Sequence, residues 1–143
     1  MAMNPNADGA TGVFGGEDTL QFETSVRRRW GATQAYRESD RRTSNYNKED
    51  WERHGEESEV IELDFLALMR AGLPADGVEA KACAERHREL IERWFYPCSY
   101  DMHTGLAEMY VGDPGFAQHY DNRAAGLAQY VHDAIMANAG DHL

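Results

Sequence analysis

Apolar side chains recur at three- and four-residue steps between Asn47 and Met69, the period of an amphipathic α-helix. Asn47 can cap the start of this helix, and two acidic residues in its first turn suit the positive end of the helix dipole. Gly72 and Pro74 are typical of a helix end. The sequence therefore predicts one long helix, whose inward face consists of Trp51, Ser58, Ile61, Phe65, Leu68 and Met69.

A second helix is predicted from about Val78 to Phe95, because Pro97 prevents its continuation. This segment carries apolar residues along one broad face, although charged residues interrupt much of the helix. Its predicted buried positions are Ala80, Cys83, Ala84, His87, Ile91, Trp94 and Phe95.

Three further helices follow. Ser99 is a good cap for the first, and Asp113 before Pro114 predicts a short helix that runs to Tyr120. The last helix is predicted from about Arg123 to Ala139. No segment shows the alternation of apolar and polar positions, rich in β-branched residues, that is typical of a β-strand. We therefore predict an all-α fold. The buried positions of the first and last of these helices are Met102, Leu106, Met109 and Tyr110, then Leu127, Val131, Ala134 and Ile135.

Composition narrows the class of protein. The 143 residues suffice for one domain with a buried core. A net charge of −11 argues against nonspecific nucleic-acid binding, which needs cations to displace phosphate counterions. Two cysteines are too few for a disulfide framework and suit a reducing compartment. No apolar run approaches the roughly 20 residues of a membrane helix, and no signal peptide is visible. We expect a cytoplasmic domain without membrane contact.

Cys98 is the first residue to consider for chemistry, since it precedes a predicted helix start, where unpaired N–H groups favour a thiolate. The carboxylate of Asp101 opposes that effect. His87 and His103 could act as bases, but no motif supplies an oxyanion hole or an activated water. The six histidines are dispersed, and no zinc-binding spacing occurs. We therefore predict no enzyme, no metal site, and no haem or other cofactor.

Aromatic and methionine side chains crowd around the bend at Pro97. Rings are more numerous than a modest core needs, and methionine adapts its shape to irregular partners. This pattern predicts an apolar groove for a flat or greasy ligand, in which Asp101 would accept hydrogen bonds. Ordinary core packing is the alternative for Trp94 and Phe95. The predicted groove is lined by Trp94, Phe95, Cys98, Met102, Gly105, Met109, Tyr110 and Tyr120, with Trp30 and Tyr36 added from a lid.

The chain divides into three predicted segments. Residues 1–16 are rich in glycine and poor in hydrophobic side chains, so they cannot offset the entropy of ordering and should form a flexible tail. Residues 17–46 carry a loose helical pattern broken at Gly31 and should form a loosely ordered helical lid. Residues 47–143 should form the helical ligand-binding core.

Several separated motifs resemble the TipAS antibiotic-recognition domain. From Cys98 the chain reads Cys-Ser-Tyr-Asp-Met-His-Thr-Gly-Leu-Ala-Glu-Met-Tyr-Val-Gly-Asp, and Phe116, Tyr120-Asp121 and Gly126-Leu127 follow. Upstream, the stretch from Arg28 to Ser39 and the helix start Lys48-Glu-Asp-Trp51 are similar to the same family, as is the stretch from Asp133 to Ala139. The resemblance covers about residues 20 to 140.

The resemblance implies a globin-like helical fold without haem, in an effector domain of MerR-type transcription activators or in a free form that sequesters drug. It also implies thiopeptide antibiotics as ligands, which are macrocycles with electrophilic dehydroalanine tails. An N-terminal segment would order over the bound antibiotic. DNA would be bound only through a MerR-type domain absent from this chain, and a homodimer would form through that same domain.

The sequence departs from the family at Gly105, seven residues beyond Cys98. Members that capture thiopeptides attach the drug through a cysteine at this position. Glycine has no nucleophile, so we expect noncovalent binding. Two alternatives stay open, namely covalent capture through Cys98 and a protein–protein or dimer-stabilising module of a regulator.

Overall fold

The computed structural model describes residues 34–143. Within them the chain forms α-helices and no β-strand, so the all-α prediction is confirmed. The expectations for the tail of residues 1–16, for the break at Gly31 and for Trp30 fall outside the described residues. The helices are α1 (Gln34–Thr43), α2 (Lys48–Arg70), α3 (Val78–Trp94), α4 (Tyr100–Gly112), α5 (Pro114–Asp121) and α6 (Leu127–Gly140).

Local sequence sets both ends of α2. The Asn47 side-chain oxygen accepts from the Asp50 amide at 2.8 Å, and the Asp50 carboxylate accepts from the Asn47 amide at 3.0 Å. This reciprocal pair satisfies two amides that the first turn leaves without helical partners. At the other end Gly72 adopts a left-handed φ of 78°, which glycine reaches without strain. The predicted start and stop of this helix are confirmed.

Side-chain caps also start α4 and α5. Ser99 Oγ accepts from the Met102 amide at 3.1 Å, and Asp113 Oδ1 accepts from the Gly115 amide at 2.9 Å. Pro114 occupies the first turn of α5, where its missing N–H costs nothing. Both predicted helix starts are confirmed.

The predicted start of the last helix at Arg123 is wrong, because α6 begins at Leu127. Gly126 has a φ of 90°, and this left-handed backbone breaks helical continuity with the residues before it. The amide of Ala128, in the first turn, is satisfied by Asp121 Oδ1 at 3.0 Å, a carboxylate from the end of α5. Arg123 instead lies in the turn between the two helices.

The described residues belong to two compact units. The first contains residues 34–58 and 90–97, and the second contains residues 59–89 and 98–143. In the second unit α4 packs against both α5 and α6, and α5 packs against α6. The fully buried apolar side chains at the centre of that unit are Phe65, Leu106, Phe116, Leu127, Val131 and Ile135.

Most predicted inward positions are buried, including every one named for α3 and for α6. Five predicted positions are only half-buried: Trp51, Ser58, Leu68 and Met69 on α2, and Met102 on α4. Polar residues take up part of the interior instead. Those buried on α2 and α4 are His54, Glu62 and His103.

Candidate functional site

Five aromatic residues pack together in the first unit, and we call them the aromatic cluster. The Trp94 ring meets Tyr46 and His54 edge-on, at centroid distances of 5.3 and 5.5 Å. The Phe95 ring meets His54 edge-on at 5.2 Å. Such edge-to-face contacts are favourable arrangements of aromatic quadrupoles. The cluster consists of Tyr46, Trp51, His54, Trp94 and Phe95.

Polar partners hold Trp94 in place within the cluster. Its Nε1 donates to Glu57 Oε1 at 2.8 Å, and Arg93 donates to the same carboxylate oxygen at 3.0 Å. Partial burial of Glu57 would raise its pKa, but these two hydrogen bonds lower it below the ordinary value. Tyr46 Oη donates to the Trp94 carbonyl. Trp94 and Phe95 are 7 % and 1 % exposed, so their packing is that of core side chains.

Cys98 lies in the second unit and is fully buried. Arg88 Nη1 donates to its carbonyl at 2.7 Å, which fixes the backbone just before α4. The Cys98 thiol is therefore enclosed by the protein just before α4. Cys83, in the middle of α3, is also buried, and burial raises the pKa of its thiol to about 12.

Met102, Gly105 and Met109 share one face of α4, since positions three and four apart lie one above the other on a helix. Met109 is buried, whereas Met102 and Gly105 are half-buried. Asp101, at the start of the helix, is exposed. Among the predicted site residues of α4, solvent therefore reaches Asp101, Met102 and Gly105.

A second group of aromatic rings joins α4 to α5 in the second unit. It consists of Tyr110 on α4 and of Phe116 and Tyr120 on α5. The two tyrosine rings lie 5.4 Å apart, and Tyr110 lies 5.6 Å from Phe116. Both tyrosines are completely buried, and burial raises the pKa of each phenol above its ordinary value. The structure thus brings these two predicted residues together in the interior of the second unit.

His87 and His103, considered above as possible bases, contact each other. His87 Nδ1 lies 2.9 Å from His103 Nε2, and the two rings are stacked with centroids 5.1 Å apart. Burial of His103, followed by electrostatic repulsion from His87 and Arg88, holds the pKa of His103 well below its ordinary value. Within residues 34–143 no group of three histidine, cysteine or acidic side chains is arranged to hold a metal ion.

The predicted site residues from Trp94 to Tyr120 lie on α3, α4 and α5 or in the segment between α3 and α4, but sequence reasoning did not identify their polar partners. Glu57 and Arg88, which fix Trp94 and the carbonyl of Cys98, were not singled out. Amphipathic periodicity marks apolar faces only and carries no signal for such partners. Tyr36, assigned to the lid, is half-buried on α1.

The TipAS antibiotic-recognition domain model matches residues 22–138. The chain belongs to this family. It is 47% identical over 142 residues to the HTH-type transcriptional activator TipA of Streptomyces coelicolor, a match that covers 99% of this chain and 56% of TipA. It is 30% identical over 120 residues to the HTH-type transcriptional activator mta of Bacillus subtilis, covering 84% of this chain and 46% of mta. The chain therefore spans about half the length of these curated relatives.

Two solved structures are similar to this TipAS domain. One is the Streptomyces lividans TipAS in complex with nosiheptide, from a thiopeptide antibiotic multidrug resistance system, with a TM-score of 0.80 and 47% identity over 97% of this chain and 96% of that one. The other is the antibiotic-binding domain of a TipA-class multidrug resistance transcriptional regulator, with a TM-score of 0.60 and 48% identity over 64% of this chain and 98% of that one. These matches agree with the family and the fold expected from the sequence motifs.

None of the helices between residues 34 and 143 is both long and apolar enough to cross a membrane. The relatives are transcription regulators rather than enzymes.

Proposed function

We propose that this TipAS domain is the antibiotic-binding effector domain of a MerR-type transcription activator and that it binds a thiopeptide noncovalently. The observation that carries the proposal is the likeness to TipAS in complex with nosiheptide, at 47% identity across nearly the whole chain. The helix-turn-helix relatives are longer, so DNA binding and dimer formation are assigned to a separate domain. The protein acts in the cytoplasm and catalyses no reaction.

The half-buried face of α4 is the proposed centre of ligand contact. Met102 and Gly105 are partly accessible there, while the rings of Trp94, Phe95, Tyr110 and Tyr120 are enclosed by their own neighbours. Glycine leaves the helix backbone open to close approach by a macrocycle, and methionine adapts to an irregular surface. Asp101 is exposed at the first turn and can accept N–H donors from the ligand.

Noncovalent binding is supported by the two positions where a thiol could act. Gly105 stands where capturing members carry a cysteine, and it offers no nucleophile. Cys98 is fully buried, with its carbonyl held by Arg88 at 2.7 Å. A dehydroalanine tail at the surface of α4 would therefore meet no exposed thiol.

The proposal is tested by titrating nosiheptide into the protein while following tryptophan fluorescence and heat of binding. Gly105→Leu places a bulky side chain on the proposed contact face and should weaken binding at least tenfold. Gly55→Leu is the matched control, because it puts the same side chain at an exposed helical position on α2 instead of α4, with no atom within 4 Å of the new Cβ.

Equal affinity of the two variants would rule out this face of α4 as the contact surface. No binding by the unaltered protein at tens of micromolar antibiotic would reject thiopeptides as its ligands. Helical circular dichroism of each variant checks that the fold is retained.

A dimer-stabilising module of a regulator is the second candidate function. Val60 and Leu63, three residues apart on α2, are 52 % and 43 % exposed and give that helix an apolar surface. A dimer-stabilising function predicts that the protein self-associates through this surface and that Val60→Glu abolishes the association. A monomer in sedimentation equilibrium at concentrations up to the millimolar range would exclude it.

A further inference from the structure

Tyr100, the first residue of α4, is enclosed by two flat groups. The guanidinium carbon of Arg88 lies 4.3 Å from the centre of its ring, and the His142 ring is stacked on it at 4.2 Å with an interplanar angle of 1°. One face of a phenol ring cannot hold both groups at this spacing, so Arg88 and His142 lie on opposite faces. Cation–π and stacking contacts of this kind are favourable.

Glu85 joins the same residues through hydrogen bonds. Its carboxylate accepts from Arg88 at 2.6 Å, from Tyr100 Oη at 3.1 Å and from Asn138 Nδ2 at 2.9 Å. These donors, Arg88 foremost, lower the pKa of Glu85 to about 2. His142 Nδ1 in turn donates to the Asn138 carbonyl at 2.9 Å. We call the set Glu85, Arg88, Tyr100, Asn138 and His142 the Tyr100 clasp.

The clasp connects the segment after α6 with the backbone of Cys98. Arg88 contacts the Tyr100 ring, which His142 covers, and it also donates to the Cys98 carbonyl at 2.7 Å. Cys98 is two residues from Tyr100 and is fully buried. A movement that separates His142 from Tyr100 would therefore loosen the guanidinium and, through it, the backbone that carries this thiol.

We infer that the Tyr100 clasp is a latch that closes the turn over Cys98, so that release of His142 exposes this thiol while the rest of the second unit stays folded. The inference does not rest on the proposed function, because exposure of the thiol can be measured without antibiotic. In this proposal His142 and Arg88 control the access of reagents to the Cys98 thiol.

The chain offers two buried thiols as matched reporters. Cys83→Ala leaves Cys98 as the only thiol, and Cys98→Ala leaves only Cys83, which lies in the middle of α3 outside the clasp. Each protein is reacted with dithiobis(nitrobenzoate), whose disulfide the thiolate cleaves to form a mixed disulfide and release one thionitrobenzoate. At low reagent concentration the rate reports how often each thiol becomes accessible.

His142→Ala should accelerate the reaction of Cys98 by about 2- to 10-fold, the factor expected for loss of one aromatic contact. Cys83 should react at an unchanged rate. Tyr100→Leu should accelerate Cys98 further, since it also removes the ring that Arg88 contacts. His132→Ala is the control on α6, because His132 bonds to Glu108 and Asp133 and not to the clasp.

Three outcomes would overturn the inference. Equal acceleration of Cys83 and Cys98 would mean that His142→Ala lowers the stability of the whole unit. An unchanged Cys98 rate in His142→Ala would mean that this ring does not hold the turn closed. Rapid reaction of Cys98 in the otherwise unaltered Cys83→Ala protein would mean that the turn is open already.

Discussion

The Nδ1 atom of His87 and the Nε2 atom of His103 are 2.9 Å apart in the interior of the second unit, so one ring must donate and the other accept. Both rings are buried, and within residues 34–143 the Nδ1 atom of His103 has no hydrogen-bond partner. Protonation of His103 would place a buried positive charge near the guanidinium of Arg88. Folding therefore favours the neutral form of His103, with one proton between the two facing nitrogens.

Mild acid should destabilise the domain through His103. In the unfolded chain this histidine takes up a proton near its ordinary pKa of 6.5, but in the folded protein its pKa is well below that value. The unfolded state thus binds more protons, so the stabilisation is complete above about pH 6.5 and is lost as pH falls. The free energy of unfolding should decrease between pH 7 and 5.5, with a slope of up to about 1.4 kcal/mol per pH unit.

Urea unfolding at a series of pH values measures this slope. His103→Gln removes the titrating group, so the slope of this variant should be smaller over the same range. An identical slope in both proteins would show that His103 is not responsible.

Glu62 should contribute strongly to stability as the buried centre of an ion-pair network. It is 4 % exposed and accepts from His119 Nε2 at 3.0 Å and from Arg123 Nε at 2.9 Å. Burial by itself would raise the pKa of Glu62, but these donors lower it below the ordinary value. Glu62→Gln should cost about 3 kcal/mol, the lower end for breaking a buried pair, because Arg123 keeps Glu59 as a partner.

Glu59→Gln is the matched control, since Glu59 contacts the same arginine from an exposed position. It should cost less than about 1 kcal/mol. Similar losses for the two variants in urea unfolding would contradict a buried role for Glu62.

Helix ends were predictable from the sequence where their signals are local. The pairs Asn47 with Asp50 and Asp113 with Gly115 lie within three residues of each other, so each cap can be read directly from the chain. The start of α6 was missed because the amide of Ala128 in its first turn donates to Asp121, which is seven residues earlier in the chain. A contact across that distance depends on the turn between the helices, which periodicity does not describe.

The interior polar groups could not be predicted, because their partners are distant in the sequence. Glu62 contacts residues 57 and 61 positions away, and Asn138 contacts Glu85 across 53 positions. Hydropathy assigns such residues to the surface. The sequence left two interpretations of Trp94 and Phe95 open, groove lining and core packing, and hydropathy could not distinguish them. In the structure both rings have the burial of core residues.

The hydrogen bond that caps the start of α5 should contribute about 1 kcal/mol to the free energy of unfolding. Asp113 Oδ1 accepts from the Gly115 amide, which otherwise has no helical partner. Asp113→Ala should therefore lower the free energy of unfolding by about 0.5–2 kcal/mol, and Asp113→Asn, which retains a capping oxygen, should stay close to the unaltered protein. Equal losses in thermal unfolding would show that the carboxylate acts by charge instead of capping.

Placing a cysteine at position 105 should convert noncovalent binding into covalent capture. In Gly105→Cys the thiolate would add to the terminal carbon of a dehydroalanine tail, and the neighbouring carbon would take up a proton, so no oxidant is needed. Intact-mass measurement after incubation with a thiopeptide should show the added mass of one antibiotic. Gly55→Cys presents a thiol at an exposed position of α2 instead of α4 and should stay unmodified, as should the unaltered protein. An adduct on the unaltered protein that disappears in Cys98→Ala would instead establish capture through Cys98, and equal modification of both glycine variants would reflect thiol exposure without recognition.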